Sequence, residues 1–496
     1  MTSHLTRKEM SLRESSSGFA QNVPHSANIH GMSSMHATAF RRIAKGFGAN
    51  AYDQVVTVII QIVGVPILLH AWGAQLYGEW LILFAIPAYL SITDLGFSQS
   101  AGNDMTARVV RHDRAGALNV FQSLAVLVYA GSAVGLGVTT AVLWLLPFDQ
   151  WLHFKMMGPQ AVRLVLWLAA AEMFVRLPNG VNDAGFRAGG DYALHVSLTS
   201  TARLLQFATV WIAALRGGGP VSAAIGFFGV RLLATPLTAT LLVYRHQWLR
   251  FSVEHARKSE LRPLLKPALA NLALPFAQAV NIQGMVLVVG AVLGPVAVVV
   301  FSTLRTLTRL ALQVVLAVSN AAEPEIAAAH GAGNRELMRS LFMHVLRGGM
   351  WLGFAAAAAL TLFGRFILRH WTHGNVEMHG ALFALLLASA VASVLWYGSL
   401  IVLKAANCHL RAAVVFVFAS VGAVGVAALL LRLTGDLAAS GLALICVDGA
   451  MAFYTIHSVA RLLDVTTSSI LRAANPYLLL VQRSQNPIPL VADQWE

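Results

Sequence analysis

Charge is what this chain has least of. Only 11% of its 496 residues are Asp, Glu, Lys or Arg, against 57% apolar, whereas a soluble globular domain carries roughly 25% charged residues. So little polar surface excludes a soluble globule and leaves a polytopic membrane protein. Cysteine is scarce too: Cys408 and Cys446 both fall in apolar segments, which excludes a disulfide framework. No polar stretch is long enough to fold into a soluble domain, so the net charge of +13 does not point to nucleic acid. It reads as a topology signal and an attraction to anionic membrane lipid. The chain also lacks the Cys or carboxylate companions that would make His370, His373 and His379 a metal site. These histidines, beside Trp371, read as interfacial, and neither a metal nor any other cofactor is expected. Finally, lysine is absent from the apolar segments, where five arginines occur instead.

What is present is a regular hydrophobic rhythm. Apolar runs long enough to cross a bilayer of about 30 Å lie at about 47–70, 78–100, 117–146, 160–180, 193–215, 220–244, 267–292, 296–320, 348–371, 381–403, 412–432 and 438–460. The expected fold is therefore all-α, with about twelve transmembrane helices in two six-helix lobes around a central cavity. Residues 1–40 read as a flexible tail, 41–247 as the N-terminal lobe, 248–266 as a basic interlobe loop, 267–465 as the C-terminal lobe and 466–496 as a second tail. The turn after the second span of each half is comparable: Ala107–Leu118 sets Asp113-Arg114 where Ala328–Arg339 sets Asn334-Arg335. Six-span repeats of this kind keep their orientation and could rock about a site between them.

Loop charge orients the set. Fifteen lysines and arginines fall in the loops on the side of the amino terminus, and six in the opposite loops. By the positive-inside rule both termini are cytoplasmic.

The five intramembrane arginines are Arg176, Arg203, Arg231, Arg305 and Arg309. An ionised side chain at bilayer depth costs about 2.5 to 3.5 kcal/mol even on a lenient scale, so such residues face a wet cavity or a partner. Guanidinium is permanently charged and grips phosphate oxygens in pairs. The five are therefore read as substrate-binding candidates lining a passage for a large, phosphate-bearing, amphipathic cargo. Arg305 and Arg309, four residues apart, share a helix face. Arg176 follows Glu172 by one turn, so an intrahelical pair competes with substrate contact there. Among the acids, Asp448 and Glu172 lie within spans and are candidates for ion coupling to a proton or sodium gradient, or fixed counter-ions. Asp53 and Asp94, near the inner ends of the first two spans, are candidates for capping or gating.

The runs Val65-Pro66-Ile67-Leu68-Leu69, Tyr77-Gly78-Glu79-Trp80 and Ile92-Thr93-Asp94-Leu95-Gly96-Phe97 resemble the first two helices of bacterial polysaccharide and O-antigen flippases of the multidrug/oligosaccharidyl-lipid/polysaccharide exporter superfamily. Phe301–Arg309, Glu323-Pro324-Glu325-Ile326 and Gly333-Asn334-Arg335-Glu336 carry the likeness onward. The resemblance implies a two-lobed inner-membrane transporter, not an enzyme. It would carry undecaprenyl-pyrophosphate-linked oligosaccharide repeat units across the membrane by alternating access, for exopolysaccharide, capsule or O-antigen biosynthesis. A polysaccharide polymerase and a chain-length regulator would be its partners. Two alternatives stay open: a multidrug or metabolite exporter of the same fold, and a membrane polysaccharide polymerase or glycosyltransferase. The short outer loops weigh against the latter.

Overall fold

The computed structural model describes residues 25–88, 95–146 and 154–474, and among these every regular element is a helix. In chain order they are α1 (His25–Ala88), α2 (Leu95–Val110), α3 (Arg114–Leu145), α4 (Pro159–Arg176), α5 (Pro178–Gly189), α6 (Tyr192–Leu215) and α7 (Pro220–Arg245). The second half holds α8 (Lys258–Ala279), a π-helical turn (Val280–Gly284) and α9 (Met285–Leu293). It continues through α10 (Pro295–Ala321), α11 (Glu323–Gly331), α12 (Arg335–Trp371), α13 (Gly380–Ala405), α14 (His409–Thr434), α15 (Ala438–Leu462) and α16 (Thr467–Ala474).

Nine stretches among the described residues are long and apolar enough to cross a membrane. One of them, Ala44–Ala88, has 45 residues, or about 67 Å of helix, twice the bilayer core. It bends at Gly73, whose φ of 69° and ψ of 172° suit glycine alone. The bend makes it two crossings. Helices α4, α5 and α10 lie outside the nine yet occupy the positions of the fourth and eighth predicted spans. Pro178 separates α4 from α5, because its ring cannot continue a straight helix.

Two boundaries differ from expectation. Helix α1 begins at His25 rather than after residue 40. Pro24 precedes it and no further proline follows until Pro66, so nothing breaks a helix there even though the segment is too polar to be seen as a span. The interlobe loop is also shorter and less free than its charge implied. Helix α8 starts at Lys258. Leu249 and Leu264 are buried in a core cluster built otherwise from α2, α3, α5 and α7. Buried Gln122 donates to the Arg250 carbonyl (3.0 Å) and accepts from the His255 amide (2.9 Å), and Ser123 accepts from the Arg257 amide (2.8 Å). The connection is thus strapped to the first lobe.

The two compared turns adopt one geometry. His112 and Gly333 both have positive φ, 63° and 68°. Asp113 accepts from the Gly116 amide (2.7 Å) and Asn334 from the Leu337 amide (3.0 Å), capping α3 and α12 at matching points. Outward faces of α3, α12 and α14 leave Trp144, Leu145, Leu362 and Phe418 exposed, as lipid-facing surface requires.

The lobes touch along α1 with α10 and along α2 with α8. Both contacts are backbone-close. A Cβ on Gly78 would lie 2.1 Å from the Pro295 carbonyl oxygen, and one on Gly96 2.2 Å from that of Ala268. Next to Gly78, Glu79 is fully buried. Its carboxylate accepts the amides of Lys155 (2.8 Å), Met156 (3.0 Å) and Met157 (3.0 Å) together with Gln75 Nε2 (3.0 Å). These bonds pin the α3–α4 connection to the bundle.

Two expected outcomes follow from these contacts. Gly78→Ala drives a methyl into backbone that has no rotamer to move, and overpacking of this kind costs about 1 to 3 kcal/mol, read as a lower melting temperature in detergent. Glu79→Gln turns one acceptor oxygen into a donor facing backbone N–H groups. Loss of charged hydrogen bonds worth about 1.5 to 3 kcal/mol each lowers the melting temperature further and exposes the 154–157 segment to protease.

Candidate functional site

Each lobe holds a cavity, and Gln99 of α2 lines both. The N-lobe cavity, about 490 Å³, is walled by Asp53 of α1, Arg176 of α4, Asp183 and Arg187 of α5, His195 and Arg203 of α6, and Arg231 of α7. The C-lobe cavity, about 580 Å³, is walled by Asn271 and Gln278 of α8, Arg309 of α10, Glu323 of α11, Trp396, Tyr397 and Lys404 of α13, and His409 and Phe416 of α14. Both reach toward the interlobe-loop end: the first to the α5–α6 turn, the second to the α10–α11 and α13–α14 turns. At the opposite end Gly78 closes on Pro295.

Four of the five predicted arginines line these cavities' walls, and they differ in what they hold. Arg231, only 5% exposed, donates from Nε to Glu172 Oε1 (3.0 Å) and from Nη2 to Gln206 Oε1 (2.6 Å). Gln206 in turn donates to Glu172 Oε1 (3.1 Å) and to the Phe227 carbonyl (3.1 Å). This network joins α4, α6 and α7, and both charges are almost wholly enclosed. Glu172 is therefore the counter-ion of Arg231, not of Arg176 one turn away. The intrahelical pair gives way because α7 brings a guanidinium into the same buried interior. Arg176 instead donates to Met173 Sδ (2.9 Å), a weak acceptor that leaves its charge directed to the cavity.

Arg203 Nη2 donates to Asp53 Oδ1 (2.8 Å), to the Asp53 carbonyl (3.1 Å) and to Thr57 Oγ1 (2.8 Å), and Ser200 donates to Asp53 Oδ1 (2.6 Å). Asp53 thus ties α1 to α6 inside one lobe. Asp94 lies outside the described residues.

In the C-terminal lobe Arg305 and Arg309 share a face of α10, and a recess of about 50 Å³ lies behind them, also lined by Gln278, Asn281, Ser389, Trp396, Tyr397 and Asp448. The π-helical turn places Asn281 against Arg305, whose Nη2 donates to Asn281 Oδ1 (2.6 Å) and Nη1 to its carbonyl (3.3 Å). Asp448 accepts from Ser389 Oγ and from Trp396 Nε1 (2.9 Å). Arg309, which lines both the recess and the larger cavity, donates to no described group.

Glu79, Gln206 and Asn281 were not anticipated as anchors. The signal existed, since each is a polar residue inside an apolar run, but their partners come from other helices.

No protein-family model and no curated protein matches the chain. Solved structures do. A multidrug resistance MATE family transporter of the MOP superfamily in its inward-facing conformation matches at 16% identity, over 86% of this chain and 96% of that one, with a TM-score of 0.65. An outward-facing conformation of a transporter so described matches at 16% identity, over 86% and 96%, with a TM-score of 0.58. A MOP superfamily transporter from Pyrococcus furiosus, described as having a binding pocket of reverse polarity that suggests a different function, matches at 15% identity, over 85% and 95%, with a TM-score of 0.57. The fold is the two-lobed MATE fold.

Removing Glu172 while keeping Arg231 strands a buried charge, which costs about 3 to 5 kcal/mol. Glu172→Ala is expected to melt well below the native protein, and Glu172→Ala with Arg231→Leu to recover much of the loss. Thermal unfolding of both variants checks it; equal losses would show that the pair is not what α4 and α7 depend on.

Proposed function

We propose that this chain is an alternating-access membrane transporter that exports anionic amphiphilic molecules. The observation that carries this reading is the charge of the two cavities. The N-lobe cavity sets Arg176, Arg187, Arg203 and Arg231 against Asp53 and Asp183, and the C-lobe cavity sets Arg309 and Lys404 against Glu323. Each keeps a cationic excess, with Arg176 and Arg309 lacking a carboxylate partner among the described residues. Each volume lies within the roughly 300 to 1,000 Å³ typical of sites for drug-sized ligands. The names of the similar solved structures, multidrug resistance transporters, favour the exporter of drugs or metabolites over the flippase that the sequence motifs first suggested.

The flippase reading keeps specific support: Arg305 and Arg309, in the motif that resembles polysaccharide flippases, stand at the C-lobe cavity and its recess, where a lipid-linked pyrophosphate could be met. The loop charge supports cytoplasmic termini and a cavity mouth facing the cytoplasm; the motif resemblance favours a bacterial inner membrane.

Sealed vesicles holding the purified protein separate the two. Efflux of anionic fluorescent amphiphiles, reduced at least tenfold in an Arg176→Gln plus Arg309→Gln variant that inserts and melts normally, is the expected result. Translocation of undecaprenyl-pyrophosphate-linked oligosaccharide with no efflux of small anions would establish the flippase instead. Preferential efflux of cations would sink both.

A further inference from the structure

The recess behind Arg305 is much smaller than either cavity, about 50 Å³ against 490 and 580 Å³, and its polar groups are not disposed at random. Three charged residues line it, Arg305, Arg309 and Asp448, which leaves one positive charge in excess. It lies at bilayer depth, where an uncompensated charge is costly. The hydrogen bonds show which sign of ligand fits. Both Asp448 oxygens already accept a hydrogen bond, one from Ser389 and one from Trp396, and the positive excess of the lining disfavours a cation. Several of the groups left over are donors. Gln278 Nε2 donates to the Tyr397 hydroxyl oxygen (2.9 Å), which leaves the phenolic hydrogen to point elsewhere. Asn281 accepts from Arg305 through Oδ1, and its amide N–H groups are committed to no described residue. Arg309 donates to no described group at all.

We propose that this recess is a binding site for a halide-sized monovalent anion, chloride in the first instance, held by Arg309, Arg305, the Tyr397 hydroxyl and the Asn281 amide. Such an anion neutralises the excess charge. The recess, about 50 Å³, has room for an ion of this size. Arg309 also lines the C-lobe cavity, together with Gln278, Trp396, Tyr397 and Phe416. The site therefore communicates with the transport path and could be filled from it, either by free chloride or by a compact anionic group borne on a cargo. The assignment stands whatever the cargo is.

Bromide soaked into crystals of the full-length protein in chloride-free buffer reports the site by its anomalous scattering. The expected result is a peak within hydrogen-bond distance of Arg309 and Tyr397, lost in Arg309→Gln and retained in Arg176→Gln, which alters only the other cavity. Tyr397→Phe, which removes one donor and little volume, is expected to lower the peak while leaving the helices in place. A recess holding only water in native crystals overturns the proposal, and so does a peak of unchanged height in Arg309→Gln. If an added anionic amphiphile, decanoate, displaces the bromide, a cargo's anionic group shares the site; if both are seen together, the site belongs to the free halide. Either result is independent of vesicle efflux, so failure here and failure of the exporter reading are separately visible.

Discussion

The architecture depends on one constraint, the cost of an ionised side chain below the membrane surface. Each buried charge must find a partner or water, and this protein answers in three ways. Arg231 and Glu172 close on each other and on Gln206, inside the packing of α4, α6 and α7. Arg203 and Asp53 pair at the wall of a cavity, with side chains still about a third exposed. Arg305 is held by the neutral side chain and carbonyl of Asn281, which orient the guanidinium but do not discharge it. Each lobe thereby holds both charge that is paired within its packing and charge left facing a cavity, Arg176 in the first and Arg309 in the second.

This arrangement suits the alternating-access transport proposed above. The N-terminal lobe is braced by ion pairs between its own helices and by the Glu79 carboxylate gripping three backbone amides. The interlobe connection belongs mechanically to this lobe, because Leu249 and Leu264 sit in its core and Gln122 and Ser123 hold its backbone. Further along the same rod, Pro275 and the π-helical turn interrupt the regular ladder where α8 passes toward the second lobe, and helices bend most readily at such places. The lobes then meet through glycines, at Gly78 and Gly96, where backbone lies on backbone. Contacts of that kind can part and re-form without disturbing long side chains.

The likeness between halves extends to detail. Two turns of unlike sequence share a positive-φ residue followed by a side-chain cap, His112 with Asp113 and Gly333 with Asn334. The sites, however, have diverged. The first half pairs Arg203 and Arg231 with carboxylates and leaves Arg176 without one, while the second places Arg305 and Arg309 across a small recess from an Asp448 whose oxygens accept from neutral donors. The helices set the vessel, and a few intramembrane polar residues set what it can hold.

By itself the sequence determined the fold class, the helical positions of the expected spans and the rarity and sign of the intramembrane charges, because hydrophobic periodicity and the cost of burying charge act locally along the chain. It pointed to the arginines as the residues to watch. It could not say which of them is spent on structure. Whether Glu172 answers Arg176 or Arg231 depends on how α7 packs against α4, a contact between residues 59 apart. The start of α1 at His25 and of α8 at Lys258 escaped notice because polar helices leave no hydrophobic trace. The role of Glu79 escaped for the opposite reason, since a carboxylate in an apolar run says nothing of the three amides, more than 70 residues away, that would satisfy it. Only the tertiary structure decided these matters, because buried polar groups are satisfied by neighbours in space, and sequence distance does not fix which neighbours those are.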